Sequence, residues 1–186
     1  INVPGKHNVL NACATAAIAS SLGISGKQIQ KGLETVRPIG GRLQTVKSHV
    51  GAALYDDSYN ANPISVQAAA EFLAAQKGDR WFVLGDMGEL GGDAELLHAH
   101  IGCLIREAGI ENLFATGPLS RKAVDSFGEG GRWFKNVEAL SKELNTLVTK
   151  HDAVLVKGSR SMGMERVVKA LAITEDIGIQ DSMRSA

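Results

Sequence analysis

Asp56-Asp57-Ser58-Tyr59-Asn60-Ala61-Asn62-Pro63 follows the apolar run Gly51-Ala52-Ala53-Leu54-Tyr55 and precedes a helical pattern that begins at Pro63. It therefore stands at the carboxyl end of a strand. In open α/β sheets ligands bind just outside such ends, beside the unpaired N–H groups of the next helix's first turn. Two carboxylates, two carboxamides, a hydroxyl and a phenol crowd into this stretch, more polar groups than a turn needs to close. A polar turn with Pro at the helix start is the plainer reading, and the segment alone does not choose between turn and site.

Downstream, helix-type and strand-type patterns alternate regularly. Helices are predicted over Ser65–Gln76, Ala94–Ala108, Ser120–Phe127, Val137–Thr149 and Met164–Ala172, and strands over Trp81–Leu84, Asn112–Ala115, Arg132–Phe134 and Ala153–Val156. Such alternation specifies βαβ units: an α/β fold with a mainly parallel sheet and helices on both faces. Upstream, Leu43–Ser48 and Ala52–Asp56 read as a hairpin turning around Val50-Gly51. Two helices come first. One, over Asn8–Leu22, carries Leu10, Ala14, Ala17, Ile18 and Leu22 at helical spacing and is expected to pack closely; the other starts at Ser25 and runs to about Glu34. Pro38 and the Gly40-Gly41 pair then break the pattern. The expected organisation is residues 1–38 as a helical remnant of an upstream domain, 39–175 as the α/β domain, and 176–186 as a loosely ordered tail.

With 186 residues the chain accommodates one ordinary domain and part of a second. Its 20 Lys and Arg balance its 20 Asp and Glu, so bulk charge points to neither nucleic acid nor an anionic membrane. Cys13 and Cys103 lie far apart with no Cys/His cluster near them; both are read as buried thiols in a reducing compartment, with no structural zinc. No apolar run approaches the ~20 residues of a membrane span, and a cytoplasmic location is expected. The chain opens at Ile1, straight into Gly5-Lys6-His7-Asn8-Val9-Leu10-Asn11 with nothing ahead to support it, and is expected to be a piece of something longer.

Right-handed crossovers gather the strand-to-helix turns on one rim. These are Asp56–Pro63, then Gly85-Asp86-Met87-Gly88-Glu89-Leu90-Gly91, then Thr116–Ser120, then Lys157-Gly158-Ser159-Arg160-Ser161-Met162-Gly163. The last joins two cations to two hydroxyls ahead of a helix and suits a phosphate or a carboxylate; a solvated loop capped by Ser161 is the alternative. Asp86 and Glu89 have too few companions for a metal site, and His98, on a helix, reads as a satisfied or solvent-facing side chain. Asn8 and Asn11, one turn apart, could read a base edge or cap a helix start. Neither a Gly-x-x-x-x-Gly-Lys-Ser/Thr loop nor a Gly-x-Gly-x-x-Gly fingerprint occurs.

Taken together, Gly5–Asn11, Gly41-Arg42-Leu43, Asp56–Pro63, Leu84–Gly91 and Lys157–Ser161 with Met164-Glu165 resemble the Mur ligases, in that family's order and over nearly the whole chain. The DDSYNANP and KGSR stretches resemble the branch that joins D-alanyl-D-alanine to UDP-N-acetylmuramoyl-tripeptide. The resemblance implies a Rossmann-like C-terminal ligase domain. It also implies ATP, and Mg²⁺ whose ligands lie upstream of Ile1 with the phosphate loop and the UDP-sugar site. The activity implied is amide formation through an acyl phosphate in peptidoglycan precursor synthesis, with the fragment inactive alone. Carried over, Asn8 and Asn11 are adenine contacts, Arg42 a phosphate or ribose contact, Asp57 a ribose-hydroxyl acceptor, and Asn60 a nucleotide-side and Asn62 a dipeptide-side residue. Lys157, Ser159 and Arg160 fall to the dipeptide's carboxylate, and no catalytic residue is assigned. Competing readings are a phosphorelay receiver, whose acceptor Asp is missing at Leu113–Thr116, and a stand-alone ligand-binding module.

Overall fold

Side chains are buried without a break from Trp81 to Gly85 and from Ala153 to Lys157, as suits strands covered on both faces. These segments form the strands β3 (Arg80–Gly85) and β6 (Ala153–Lys157) in the middle of a six-stranded sheet. The computed structural model describes residues 6–36 and 40–173. Its other strands are β1 (Gln44–Lys47), β2 (Ala53–Asp57), β4 (Asn112–Thr116) and β5 (Gly131–Phe134), and the lateral order is β1-β2-β6-β3-β4-β5. Edge strand β1 pairs antiparallel with β2; every other pairing in the sheet is parallel.

The alternation of side chains along each strand builds two cores. Phe82, Leu84, Leu113 and Leu155 face α3 (Pro63–Ala74), α4 (Ala94–Glu107) and α5 (Ser120–Phe127), meeting Leu73, Ile101, Ile105 and Phe127. Trp81, Val83, Phe114 and Val156 face the opposite way, against Leu140 and Leu144 of α6 (Val137–Leu147) and Val167 and Leu171 of α7 (Glu165–Leu171). Each such side chain contributes about 1.5–3 kcal/mol on burial. α4 and α5 approach so closely that a Cβ at Gly102 would collide with the Ala123 carbonyl, so glycine is required there. Past α7 the chain returns to edge strand β1, where Ser48 bridges Ala172 and the Ile173 N–H donates to the Lys47 carbonyl.

This topology places a crevice. α3 leaves the end of β2 towards one core while α7 leaves the neighbouring β6 towards the other. Adjacent parallel strands whose following helices diverge open a cleft between their carboxyl ends.

Two expectations are corrected. α1 (Lys6–Ser21) forms but does not pack closely. None of its described side chains is buried, and Leu10 and Ile18, with Leu22 just beyond it, are exposed because among the described residues the short helix α2 (Gly26–Thr35) is its main neighbour. Nor are the thiols buried: Cys13 is exposed on α1 and Cys103 is only partly covered on α4. The Lys157–Gly163 loop lies just ahead of α7 as expected, with a 3-10 turn over Arg160–Met162 inside it. The boundary expected at residue 38 and the tail 176–186 lie outside the described residues.

Candidate functional site

Asp57 and Lys157 are the last residues of β2 and β6 and stand opposite one another in the parallel register. Lys157 Nζ donates to Asp57 Oδ2 at 2.6 Å and to the Asn60 carbonyl at 2.9 Å, with only 3 % of the lysine side chain exposed. The other carboxylate oxygen, Asp57 Oδ1, accepts the Leu43 N–H at 3.0 Å. Burial pushes the Asp57 carboxyl above its ordinary pKa, and Lys157 and the Leu43 amide offset only part of that. Without this ammonium a partly buried carboxylate would be costly to keep charged.

The loop after β2 spends much of its polar content on its own shape. Asp56 Oδ1 accepts the N–H and hydroxyl of Ser58, an Asx turn; Asn60 Oδ1 accepts the Ala61 N–H. Asn62 caps α3, its Oδ1 accepting the Ser65 N–H at 2.9 Å while the Ser65 hydroxyl takes the Asn62 N–H. The plainer reading of this stretch as a polar turn with a helix cap therefore holds for these atoms. Tyr59 adds what the sequence left unassigned. Its N–H donates to the Gly41 carbonyl, the Arg42 guanidinium lies 4.3 Å from its ring centre, and Arg160 approaches the same ring at 5.8 Å. Gly41 makes this possible: it sits at φ +74°, and a Cβ there would fall 2.9 Å from the Tyr59 nitrogen.

A cleft of about 620 Å³ opens over this loop, between α1, the Gly41–Leu43 segment and the first turns of α3. Seven of the nine residues singled out from the sequence line it: Asn8, Asn11, Arg42, Asp57, Asn60, Asn62 and Lys157. Tyr59 and Ile64 line it too, Ile64 with 82 % of its surface exposed at the rim. A binary hydrophobic pattern gave no reason to single out either. Ser159 and Arg160 do not line the cleft, although Arg160 approaches it at Tyr59. Ser159 is buried with its Oγ 3.2 Å from Ser161 Oγ, whereas Arg160 is 56 % exposed and its nearest acid, Glu165, is 4.0 Å away.

The Gly85–Gly91 loop is built as a brace. Asp86 Oδ1 accepts the N–H and hydroxyl of Ser120, Oδ2 accepts the Leu119 N–H, and its carbonyl accepts the Ser159 N–H at 2.9 Å. One residue thus fastens the loops after β3, β4 and β6 together. His98 is fully buried and satisfied: Nε2 accepts the Met87 N–H, which leaves Nδ1 to donate to the Ala94 carbonyl. Glu89 is exposed, at φ +60°. No three His, Cys, Asp or Glu side chains converge as a metal site among the described residues, nor is any described helix long and apolar enough to cross a membrane.

With this geometry in place, comparison with known proteins is informative. Residues 41–160 match the family model for the Mur ligase glutamate ligase domain, which is more than half of the chain. This chain belongs to the Mur ligase family. Among the Mur ligases it is similar to the UDP-N-acetylmuramoyl-tripeptide–D-alanyl-D-alanine ligase of Escherichia coli, at 39% identity over 91% of this chain and 38% of that protein. It superposes on the solved MurF of Acinetobacter baumannii with a TM-score of 0.80 at 34% identity, covering 89% of this chain and 37% of that one. The MurF ligase of Thermotoga maritima, solved in complex with ADP, gives a TM-score of 0.77 at 25% identity, covering 90% of this chain and 38% of the other. The chain therefore spans less than two fifths of the length of these Mur ligases. The Rossmann-like sheet with helices on both faces is the fold the resemblance implied, and neither the receiver nor the stand-alone module is favoured.

Proposed function

We propose that this chain is the C-terminal portion of an ATP-dependent amide ligase that joins D-alanyl-D-alanine to UDP-N-acetylmuramoyl-tripeptide in peptidoglycan precursor synthesis, a cytoplasmic step. The observation that carries this is the cleft between β2 and β6. In a member of the Mur ligase family, it collects the carboxamides of Asn8 and Asn11, the Arg42 guanidinium and the Asp57 carboxylate around one 620 Å³ volume. The Thermotoga relative's ADP supports assigning a nucleotide to it.

The division of labour follows from the chemistry of each group. The carboxamides of Asn8 and Asn11 pair donor with acceptor and match an adenine edge. Arg42, held over Tyr59, offers a forked cation to a phosphate or ribose oxygen. A carboxylate accepts about four hydrogen bonds, so Asp57 keeps lone pairs for a ribose hydroxyl beyond those used by Lys157 and Leu43. Asn60 and Asn62 border the passage from nucleotide to dipeptide. Arg160, exposed and only loosely held by Glu165, is the cation free to take the dipeptide's carboxylate, with Ser159 beneath it.

Amide formation through an acyl phosphate needs the dipeptide amine held against an activated carboxyl group, and fixing two reactants in one geometry supplies much of the rate. This chain's part is to bind and orient nucleotide and dipeptide. The carboxyl substrate, the phosphate loop and the Mg²⁺ ligands are assigned to upstream domains. Mass spectrometry of the amide product and phosphate release test the proposal. The full-length protein is expected to ligate D-alanyl-D-alanine with ATP, and the isolated 186-residue chain to show neither ATP hydrolysis nor ligation. Turnover by the chain alone would overturn it.

A further inference from the structure

We propose that Lys157 is a positioning residue for the nucleotide side of the cleft and does not contact the dipeptide; this rests on the ligase reading above. The lysine stands where the sequence suggests a carboxylate-binding cation, but its ammonium is already committed. It is 3 % exposed, and it touches Asp57 Oδ2 at 2.6 Å and the Asn60 carbonyl at 2.9 Å. A ligand carboxylate arriving at Nζ would be set beside the partly buried Asp57 carboxylate, a like-charge contact. Arg160 has only Glu165, at 4.0 Å, and is itself 56 % exposed.

What Lys157 does control can be followed outward through the bonds. Its partner Asp57 holds the Leu43 N–H, and Leu43 sits at φ +51°, a left-handed backbone that a branched side chain adopts only under constraint. Leu43 directly follows Arg42, whose guanidinium rests 4.3 Å from the Tyr59 ring on the cleft wall. The tie from Nζ to the Asn60 carbonyl fixes the turn that leads into the α3 cap at Asn62. One ammonium at the end of β6 thereby fixes the backbone on both sides of the cleft mouth: the segment that carries Arg42 and the loop that carries Asn60. The same strand continues into Ser159 and Arg160, so the nucleotide and dipeptide sides are referenced to a single element.

The test compares Lys157→Met, which keeps length and removes charge, with Lys157→Arg, which keeps charge. In this chain, amide hydrogen exchange at Leu43 is expected to rise about tenfold or more in Lys157→Met, to change little in Lys157→Arg, and to leave β4 amides unchanged. Asp57→Asn provides a second route to the same Leu43 readout if Lys157→Met does not fold. In the full-length ligase, Lys157→Met is expected to raise KM for ATP about tenfold, with KM for D-alanyl-D-alanine nearly unchanged. A rise in the dipeptide KM with the ATP KM and the Leu43 amide unaffected would overturn the inference and return Lys157 to the dipeptide site. Absence of ligation by the wild-type full-length protein would instead refute the ligase reading; the Leu43 exchange result stands apart from that.

Discussion

Asp57 and Asp86 show how a carboxylate's neighbours decide its task. Asp57 ends β2 and Asp86 directly follows β3 on the same rim, yet Asp57 faces an open cleft while Asp86 is spent on Leu119 and Ser120 at the start of α5. Gly117, at φ +110°, lets the β4 loop come this close: a Cβ there would collide with the Asp86 carboxylate. Far from the cleft, Arg80 and Glu111 form another pair whose contact shifts acidity. Hydrogen bonds from the Arg80 guanidinium and backbone N–H hold the Glu111 carboxyl below its ordinary pKa of 4.5. A carboxyl depressed in the folded state binds fewer protons than in the unfolded chain, so its stabilisation is complete above the unfolded value and fades as pH falls through the folded one. Glu111→Gln is therefore expected to lower the melting temperature most at neutral pH and by progressively less as pH falls below about 4.5, flattening the acid limb of the curve. Thermal melts of the two proteins from pH 3 to 7 would show it; parallel curves would contradict it.

At the scale of elements, α3 and α1 make opposite cases. α3 has all its local signals in agreement: Asn62 as cap, Pro63 at its first position and Val66, Ala69, Ala70 and Leu73 turned into the core. Asn62→Ala removes the acceptor for the Ser65 N–H and is expected to cost about 1 kcal/mol in urea unfolding of this chain, whatever part Asn62 plays towards the dipeptide. No change in midpoint would mean the cap bond is not held in solution. α1 has the length and alanine content of a helix, but its apolar residues are scattered around it, and Val9, Leu10, Ile18 and Leu22 remain 52–75% exposed. Helical periodicity reports that a face exists; it does not supply the partner.

For the whole molecule, that difference predicts where cooperativity lies. The two cores draw on the sheet and α3 to α7, while α1 and α2 contribute no buried described residue. A chain beginning at Gly40 is expected to unfold in one transition within a few degrees of the 186-residue chain. Loss of cooperative unfolding would show that α1 and α2 support the sheet. The sequence by itself determined the order of helices and strands, the parallel character of the sheet and the rim on which the polar loops meet, because period, turn residues and crossover handedness are local or nearly local rules. Of the seven cleft residues singled out, Asp57, Asn60, Asn62 and Lys157 lie in polar segments at strand ends, whereas Asn8 and Asn11 on α1 and Arg42 ahead of β1 were weighted by the family resemblance. Only the tertiary structure decided that β6 inserts between β2 and β3, and hence that Asp57 meets Lys157 across 100 residues of chain. It likewise decided that Tyr59 gathers two arginines and that Asp86 is a brace. Register between strands distant in sequence is set by the packing of both faces at once, and no window of the chain contains that information.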